Sequence, residues 1–154
     1  MLAQKLTVLL DRNRIHYQTV RHPPTYTAQG LAAAMHIPGR EFAKTVVLKV
    51  DGKYALAVLP APSHVDVRRF CEAAGARSVA LATESEFQAL FPGCELGAEP
   101  PFGELYGLPV WVDASLAEGE SIVFNGGTHS EAVRIAYPDF ERLAHPKHAR
   151  FARP

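Results

Sequence analysis

Cysteine is scarce in this chain. Cys71 and Cys94 are the only two among 154 residues, and they form no Cys-x-x-Cys pair. Two thiols so placed make no disulfide framework and fit a reducing compartment. Net charge is missing as well, because sixteen basic side chains offset sixteen acidic ones. That excludes a bulk electrostatic grip on long nucleic acid, DNA included, since such grip grows with the phosphates neutralised. It leaves room for a protein that touches only the end of an RNA. No apolar run approaches membrane-spanning length, and the opening MLAQKLTVLLDRN has polar breaks and no small-residue cleavage pattern. Neither a membrane partner nor a signal peptide is therefore expected, and the expected location is cytoplasmic. The dinucleotide pattern Gly-x-Gly-x-x-Gly, the phosphate loop and the Gly-x-Ser-x-Gly elbow are all absent. The seven histidines include no His-x-x-x-His pair. No metal and no other cofactor is expected.

What the chain does have is a strong hairpin signal from Phe42 to Pro60, FAKTVVLKVDGKYALAVLP, with Asp51-Gly52 at its centre. That dipeptide tolerates the positive φ angles of a two-residue turn. A turn there places Val50 opposite Lys53, Leu48 opposite Ala55, Val46 opposite Ala57 and Lys44 opposite Leu59 on one face. Thr45, Val47 and Lys49 share the other face with Tyr54, Leu56 and Val58. Lys44 is thus expected at the mouth of an apolar face floored by the small residues Ala55 and Ala57, either as the rim charge of a pocket or as a snorkelling surface lysine.

The rest of the chain supplies flanking elements. Leu2, Leu6, Leu9 and Leu10 predict an amphipathic helix ending near Asn13. Ile15–Val20 predicts a short strand, and Thr27 caps an Ala-rich helix running to Met35. Ser63-x-x-Asp66 reads as a weak capping box before a helix whose stripe is Val67, Phe70, Cys71 and Ala74, stopped by Gly75. Thr83-x-x-Glu86 is a full capping box for a helix through Phe87, Leu90 and Phe91. Further strands are expected at residues 78–82, 109–112, 121–124 and 131–135, with a last helix opened by Pro138. The expected fold is α+β: one domain over residues 1–154, with a mixed, partly curled, barrel-like sheet of about seven strands flanked by helices. Residues 145–154, HPKHARFARP, read as a flexible basic tail.

Between Gly93 and Leu108 the chain is rich in glycine and proline. A loop of that length in a compact domain is usually functional. In Gly97-Ala98-Glu99-Pro100-Pro101-Phe102-Gly103, glycines let backbone N–H groups converge on an oxygen and prolines stiffen the turn, which can build a carbonyl-binding site without a catalytic side chain. A plain structural loop over the sheet edge is the equal alternative. Cys94 borders this loop and would be a nucleophile only if a histidine reached it.

Lys44-Thr45 at the head of the hairpin and Gly97-x-x-x-Pro101 downstream resemble the aminoacyl-tRNA editing domains, which occur inserted in bacterial prolyl-tRNA synthetases and as free-standing YbaK-like deacylases. His22-Pro23-Pro24, Pro101-Phe102-Gly103, Val112-Asp113 before Ser115-Leu116 and the last helix extend the likeness over nearly the whole chain. The resemblance implies hydrolysis of the ester joining a wrong, small amino acid (alanine, cysteine or serine) to the 3′ end of a tRNA, proline tRNA being one candidate. It assigns Lys44 as the required cation and Gly97, Ala98, Glu99, Pro100 and Pro101 as the loop that meets the ester carbonyl. Thr45, Val46, Ala57, Phe102, Gly103, Asn125, Gly126 and His129 are the expected substrate contacts. The expected partners are the aminoacyl-tRNA acceptor end and an aminoacyl-tRNA synthetase. Members that clear alanine from proline tRNA tend to carry Asn after the lysine and His after the late-strand phenylalanine, where this chain has Thr45 and Asn125; Gly126-Gly127 is closer to the cysteine-clearing branch. Two rival readings stand beside this one: a non-catalytic module binding aminoacyl-tRNA or an adenosine-containing small molecule, and a Cys94-dependent hydrolase of small esters or thioesters.

Overall fold

A computed structural model of the chain describes residues 2–22 and 36–154. The leucine spacing near the start forms helix α1 (Gln4–Arg12), which buries Leu6 and Leu10 and ends at Asn13. After it come β1 (Gln18–Arg21), β2 (Ala43–Val50) and β3 (Lys53–Pro60). β2 and β3 pair in the expected register throughout, from Val50 against Lys53 to Lys44 against Leu59. Asp51 and Gly52 take φ of 48° and 83° at the turn, the left-handed pair that matches strand twist. The predicted Thr27-capped helix lies outside the described residues.

β4 (His64–Val65) leads into α2 (Val67–Ala74). Its cap is Asp66 itself, whose side chain accepts the Arg69 N–H at 3.0 Å; the expected role of Ser63 is thereby corrected. Gly75 closes α2 in a left-handed conformation. β5 (Val79–Leu81) precedes α3 (Glu84–Phe87), where the predicted capping box of Thr83 and Glu86 forms. The helix expected to continue through Phe91 tightens to a 3₁₀ turn at Gln88–Leu90. β6 (Val110–Asp113), β7 (Ser121–Asn125), β8 (Glu131–Ala136), α4 (Tyr137–Ala144), β9 (Lys147–Ala149) and β10 (Ala152–Arg153) complete the chain.

The strands form a five-stranded sheet in the order β5-β2-β3-β6-β9, a three-stranded sheet β1-β8-β7 and the short pair β10-β4. β3, β6 and β9 run parallel while the other neighbours are antiparallel. Among the described residues a single isolated parallel bridge, Phe42 to Val123, joins the two larger sheets, so the surface curls without closing into a barrel. Their inner faces share the main core, where Val47, Leu56 and Val58 meet Ile122, Phe124, Val133 and Ile135, with Leu6, Leu10, Phe102 and Phe140 packed among them. The outer face of the hairpin has its own core of Leu48, Ala57, Leu59, Phe70 and Phe151.

Ten strands among the described residues exceed the seven expected, and all seven expected ones are present. The additions are β4 and the two C-terminal strands. The C-terminal residues expected to be a flexible tail are built into the sheet: β9 extends β6, β10 pairs with β4, and Phe151 is completely buried. Burying one phenylalanine contributes about 1.5–3 kcal/mol, and Ala149 and Ala152 pack against the same cluster.

Candidate functional site

Side chains alternate along a strand, so Phe42 and Lys44 share a face, as do Val123 and Asn125. Phe42 and Val123 form the bridge between β2 and β7 and pack together with Ile37 and Ala132. Lys44 and Asn125 therefore stand each two residues beyond that bridge, on its face, at the point where the two sheets part. Lys44 is half-buried and, among the described residues, makes no hydrogen bond or ion pair. Burial lowers its pKa, because desolvation penalises the ammonium form and no carboxylate offsets it. The Oδ1 atom of Asn125 is buried and lacks a hydrogen-bond partner among the described residues. An unpartnered half-buried cation and an unpartnered buried acceptor are each costly for a fold to keep.

From Asn125 the chain turns through Gly126 and Gly127 into direct contact with the glycine-rich loop. The Gly127 N–H donates to the Ala98 carbonyl at 2.9 Å, and the Glu95 N–H donates to the Gly127 carbonyl at 2.8 Å. His129 continues the latch: its N–H donates to Glu95 Oε1 at 2.9 Å, and its Nε2–H donates to the Leu96 carbonyl. That bond assigns the proton to Nε2, since a carbonyl can only accept. The glycine pair is required here by close packing. A Cβ on Gly126 would strike Leu2, and Gly127, at φ 100°, lies against Ala3. Glu95 and the Leu2-Ala3 segment were not predicted as parts of the site; no local pattern in the sequence signals a contact made across such separations.

Gly97 is exposed at φ 84°, with its α-carbon facing the His129 ring. Its N–H donates to Glu99 Oε1 at 3.0 Å, and the Ala98 N–H donates to the Glu95 carbonyl at 3.1 Å. Two of the loop's amides are thus engaged, and Pro100 and Pro101 have none to offer. Ala98, Glu99, Pro100 and Pro101 are buried. Burial raises the Glu99 pKa against the amide bonds that favour its charged form. The loop is consequently a rigid shelf with one exposed glycine, rather than a ring of free donors.

The other expected contacts are placed differently. Thr45 faces the main-core side of the hairpin and Val46 sits half-buried beyond Lys44 on its face. Ala57 is fully buried in one cluster with Phe70 and Phe151, so the small residues expected to floor an open pocket lie beneath packed rings. Phe102 is fully buried, edge-on to Phe124 with 5.4 Å between ring centroids. Gly103 is needed because a Cβ would collide with the Leu108 carbonyl. The late turn brings Asn125, Gly126 and His129 together with Gly97 and Ala98 of the loop, Lys44 lies on the strand that the Phe42–Val123 bridge ties to β7, and Phe102, Gly103 and Ala57 are buried in the core.

Cys94 lies within 3.2 Å of the Tyr106 hydroxyl, and burial raises its pKa. No imidazole is hydrogen-bonded to it among the described residues, and His129 is engaged elsewhere. A thiol held neutral is a poor nucleophile. No group of three or more metal-ligating side chains occurs among the described residues. No described helix is long and apolar enough to cross a membrane.

The fold and this region define a small mixed α+β domain with a cation and a glycine-bearing shelf at the parting of two sheets. Residues 22–143 match the aminoacyl-tRNA editing domain; the chain belongs to that family. Among solved structures, one provisionally described as a trans-editing enzyme for prolyl tRNA synthetase superimposes with a TM-score of 0.86 at 22% identity, over 99% of this chain and 97% of that one. A hypothetical protein matches with a TM-score of 0.85 at 19% identity, over 97% of this chain and 100% of its own. A structure from work on grafting linear epitopes onto scaffold proteins matches at 0.86 and 21% identity, over 99% of this chain and 97% of that chain. At such identities these likenesses speak for the fold.

Proposed function

We propose that this domain hydrolyses the ester of mischarged aminoacyl-tRNA, releasing a small amino acid such as alanine, cysteine or serine from the tRNA 3′ end. Membership of the editing family supplies the reaction class. The single observation that supports the assignment of roles is Lys44, a half-buried ammonium without an ion pair among the described residues, two positions past the bridge that ties its strand to the one carrying Asn125, from which the chain turns into the Gly97 loop. Lys44 anchors a phosphate or another oxygen of the terminal adenosine. Asn125 Oδ1 accepts a hydrogen bond from a hydroxyl or from the substrate's amino group. The ester carbonyl meets the Gly97 N–H once the Glu99 carboxylate yields it.

An aminoacyl ester is already activated, so holding it and polarising its carbonyl supply much of the rate. Water adds to the carbonyl carbon, and the tetrahedral intermediate collapses with the ribose oxygen leaving as a hydroxyl that takes up the proton lost by the water. Lys44 acts by charge; an ammonium is neither nucleophile nor base while protonated. The substrate's exact side chain is set by differences of about 1–3 kcal/mol per methylene in pocket fit, and a prolyl-tRNA synthetase context is the expected setting.

The test is a deacylation screen over alanyl-, cysteinyl-, seryl- and threonyl-tRNA on several tRNA backgrounds. Release of at least one amino acid well above the buffer rate, most of it lost in Lys44→Ala, is the expected result. Tight binding of these tRNAs with no release from any of them would replace the enzyme by a binding module.

A further inference from the structure

Where β3, β6 and β9 finish side by side, the surface opens into a cleft of about 570 Å³. Its wall carries Arg69 from α2, Arg150 from the link between β9 and β10, Arg153 from β10, and Ser63 and Ser115. All three arginines are exposed. Two carboxylates face the cleft or its rim. Asp113 Oδ1 accepts the Phe151 and Ala152 N–H groups at 2.8 and 2.9 Å, while its Oδ2 accepts the Ser115 N–H at 3.1 Å and the Ser115 hydroxyl. Its charge is thus taken up by four donors, and its effect is to pin the segment that carries Arg150 and Arg153. Asp66 lies 3.6 Å from Arg69. Arg150 has no side-chain partner among the described residues, and Arg153 donates only to the Pro154 carbonyl at 3.4 Å.

The cleft lies at the same end of the sheet as Lys44. Leu59, the cross-strand partner of Lys44, precedes Ser63 by four residues, a span of at most about 14 Å of extended chain. Planar guanidinium forks beside the Ser63 hydroxyl match phosphate oxygens in geometry and charge, the Ser115 hydroxyl being spent on Asp113.

We propose that this arginine cleft binds backbone phosphates of the tRNA strand immediately before the aminoacylated nucleotide, so that Lys44 holds the terminus while Arg150 and Arg153 hold the strand leading to it. The idea rests on the editing reading of Lys44 and names the part of the substrate that would lie over the cleft.

The experiment uses the full chain with Arg150→Glu/Arg153→Glu, and Arg150→Gln/Arg153→Gln as the milder pair, each checked for an unchanged melting temperature. Affinity for an uncharged tRNA acceptor-stem hairpin is measured across a KCl series. Deacylation is measured on whole mischarged tRNA and on the bare aminoacyl-adenosine. The expected result is a dissociation constant raised roughly tenfold, with the salt slope reduced by about one for each arginine lost, while the aminoacyl-adenosine reacts at the wild-type rate. Wild-type affinity and an unchanged slope in both pairs overturn the cleft, whatever the deacylation arm gives. Failure of the wild type to deacylate any substrate overturns the editing reading instead, and the hairpin titration still decides whether the cleft holds RNA.

Discussion

Lys44 and Lys49 lie on the same strand with opposite surroundings. Lys49 faces outward from the hairpin's other side, 2.7 Å from Glu86 Oε2 and above the Tyr54 ring at 6.0 Å. The Glu86 hydrogen bond raises its pKa. Lys44 is half-buried with no such partner, and burial lowers its pKa. One lysine has its charge satisfied within the fold; the other keeps a charge that the fold leaves for something else. That contrast is the basis for placing the proposed site at Lys44 and not at Lys49, because a satisfied ion pair on the surface adds little and invites no ligand.

The comparison can be broken most directly by alanine substitution. Lys44→Ala should cost roughly 100-fold in deacylation, the scale of one electrostatic contact to developing or bound charge, whereas Lys49→Ala should stay within about twofold of wild type in single-turnover assays. Equal losses in the two variants would remove the distinction. A smaller effect sharpens it by pH. Since the Lys44 pKa is depressed, its positive charge is lost as pH rises through a value below the ordinary lysine 10.5. Affinity for uncharged tRNA should therefore weaken on the alkaline side in wild type, while Lys44→Arg, which stays charged, holds its affinity over the same range. A titration with identical alkaline limbs in both proteins would count against charge as the basis of binding.

On stability the order reverses. Glu86 has its pKa lowered from 4.5 to about 2, chiefly by the Lys49 hydrogen bond and then by Thr83. A depressed carboxylate contributes stability that is present above its unfolded pKa and is lost as pH falls through the folded one. Lys49→Ala should lower the melting temperature modestly near neutrality, with the gap to wild type closing between about pH 4 and pH 2. Lys44→Ala should leave the melting temperature unchanged or raise it slightly, since it removes a desolvated charge. The smallest expected effect is Cys94→Ser, with deacylation near wild type; a loss comparable to that of Lys44→Ala would move the chemistry to the thiol.

The hairpin was legible residue by residue because its register follows from a two-residue turn and strict alternation, both local properties. The same holds for the Thr83 capping box and for the Gly75 stop. The C-terminal strands were not legible. Their polar, basic composition reads as tail, and only Phe151 inserted beside Phe70, at 5.2 Å between centroids, together with the Asp113 carboxylate accepting two tail amides, orders them. The floor beneath Ala55 and Ala57 was misjudged for a related reason. Sequence alternation tells which residues share a face, and is silent on what covers that face.

From sequence alone came the strand pairing that sets Lys44 apart from Lys49 and the breaks around the glycine-rich loop, because each depends on residues near one another in the chain, and the family's motif order, which is a property of linear sequence. Tertiary structure alone decided that Asn125 and Lys44 would stand level across the Phe42–Val123 bridge, that Glu95 and Gly127 would bind the loop to the late turn, and that Glu99 would occupy the Gly97 amide. Those contacts join segments far apart in sequence, and their energies come from packing and hydrogen bonds that exist only once the two sheets have met.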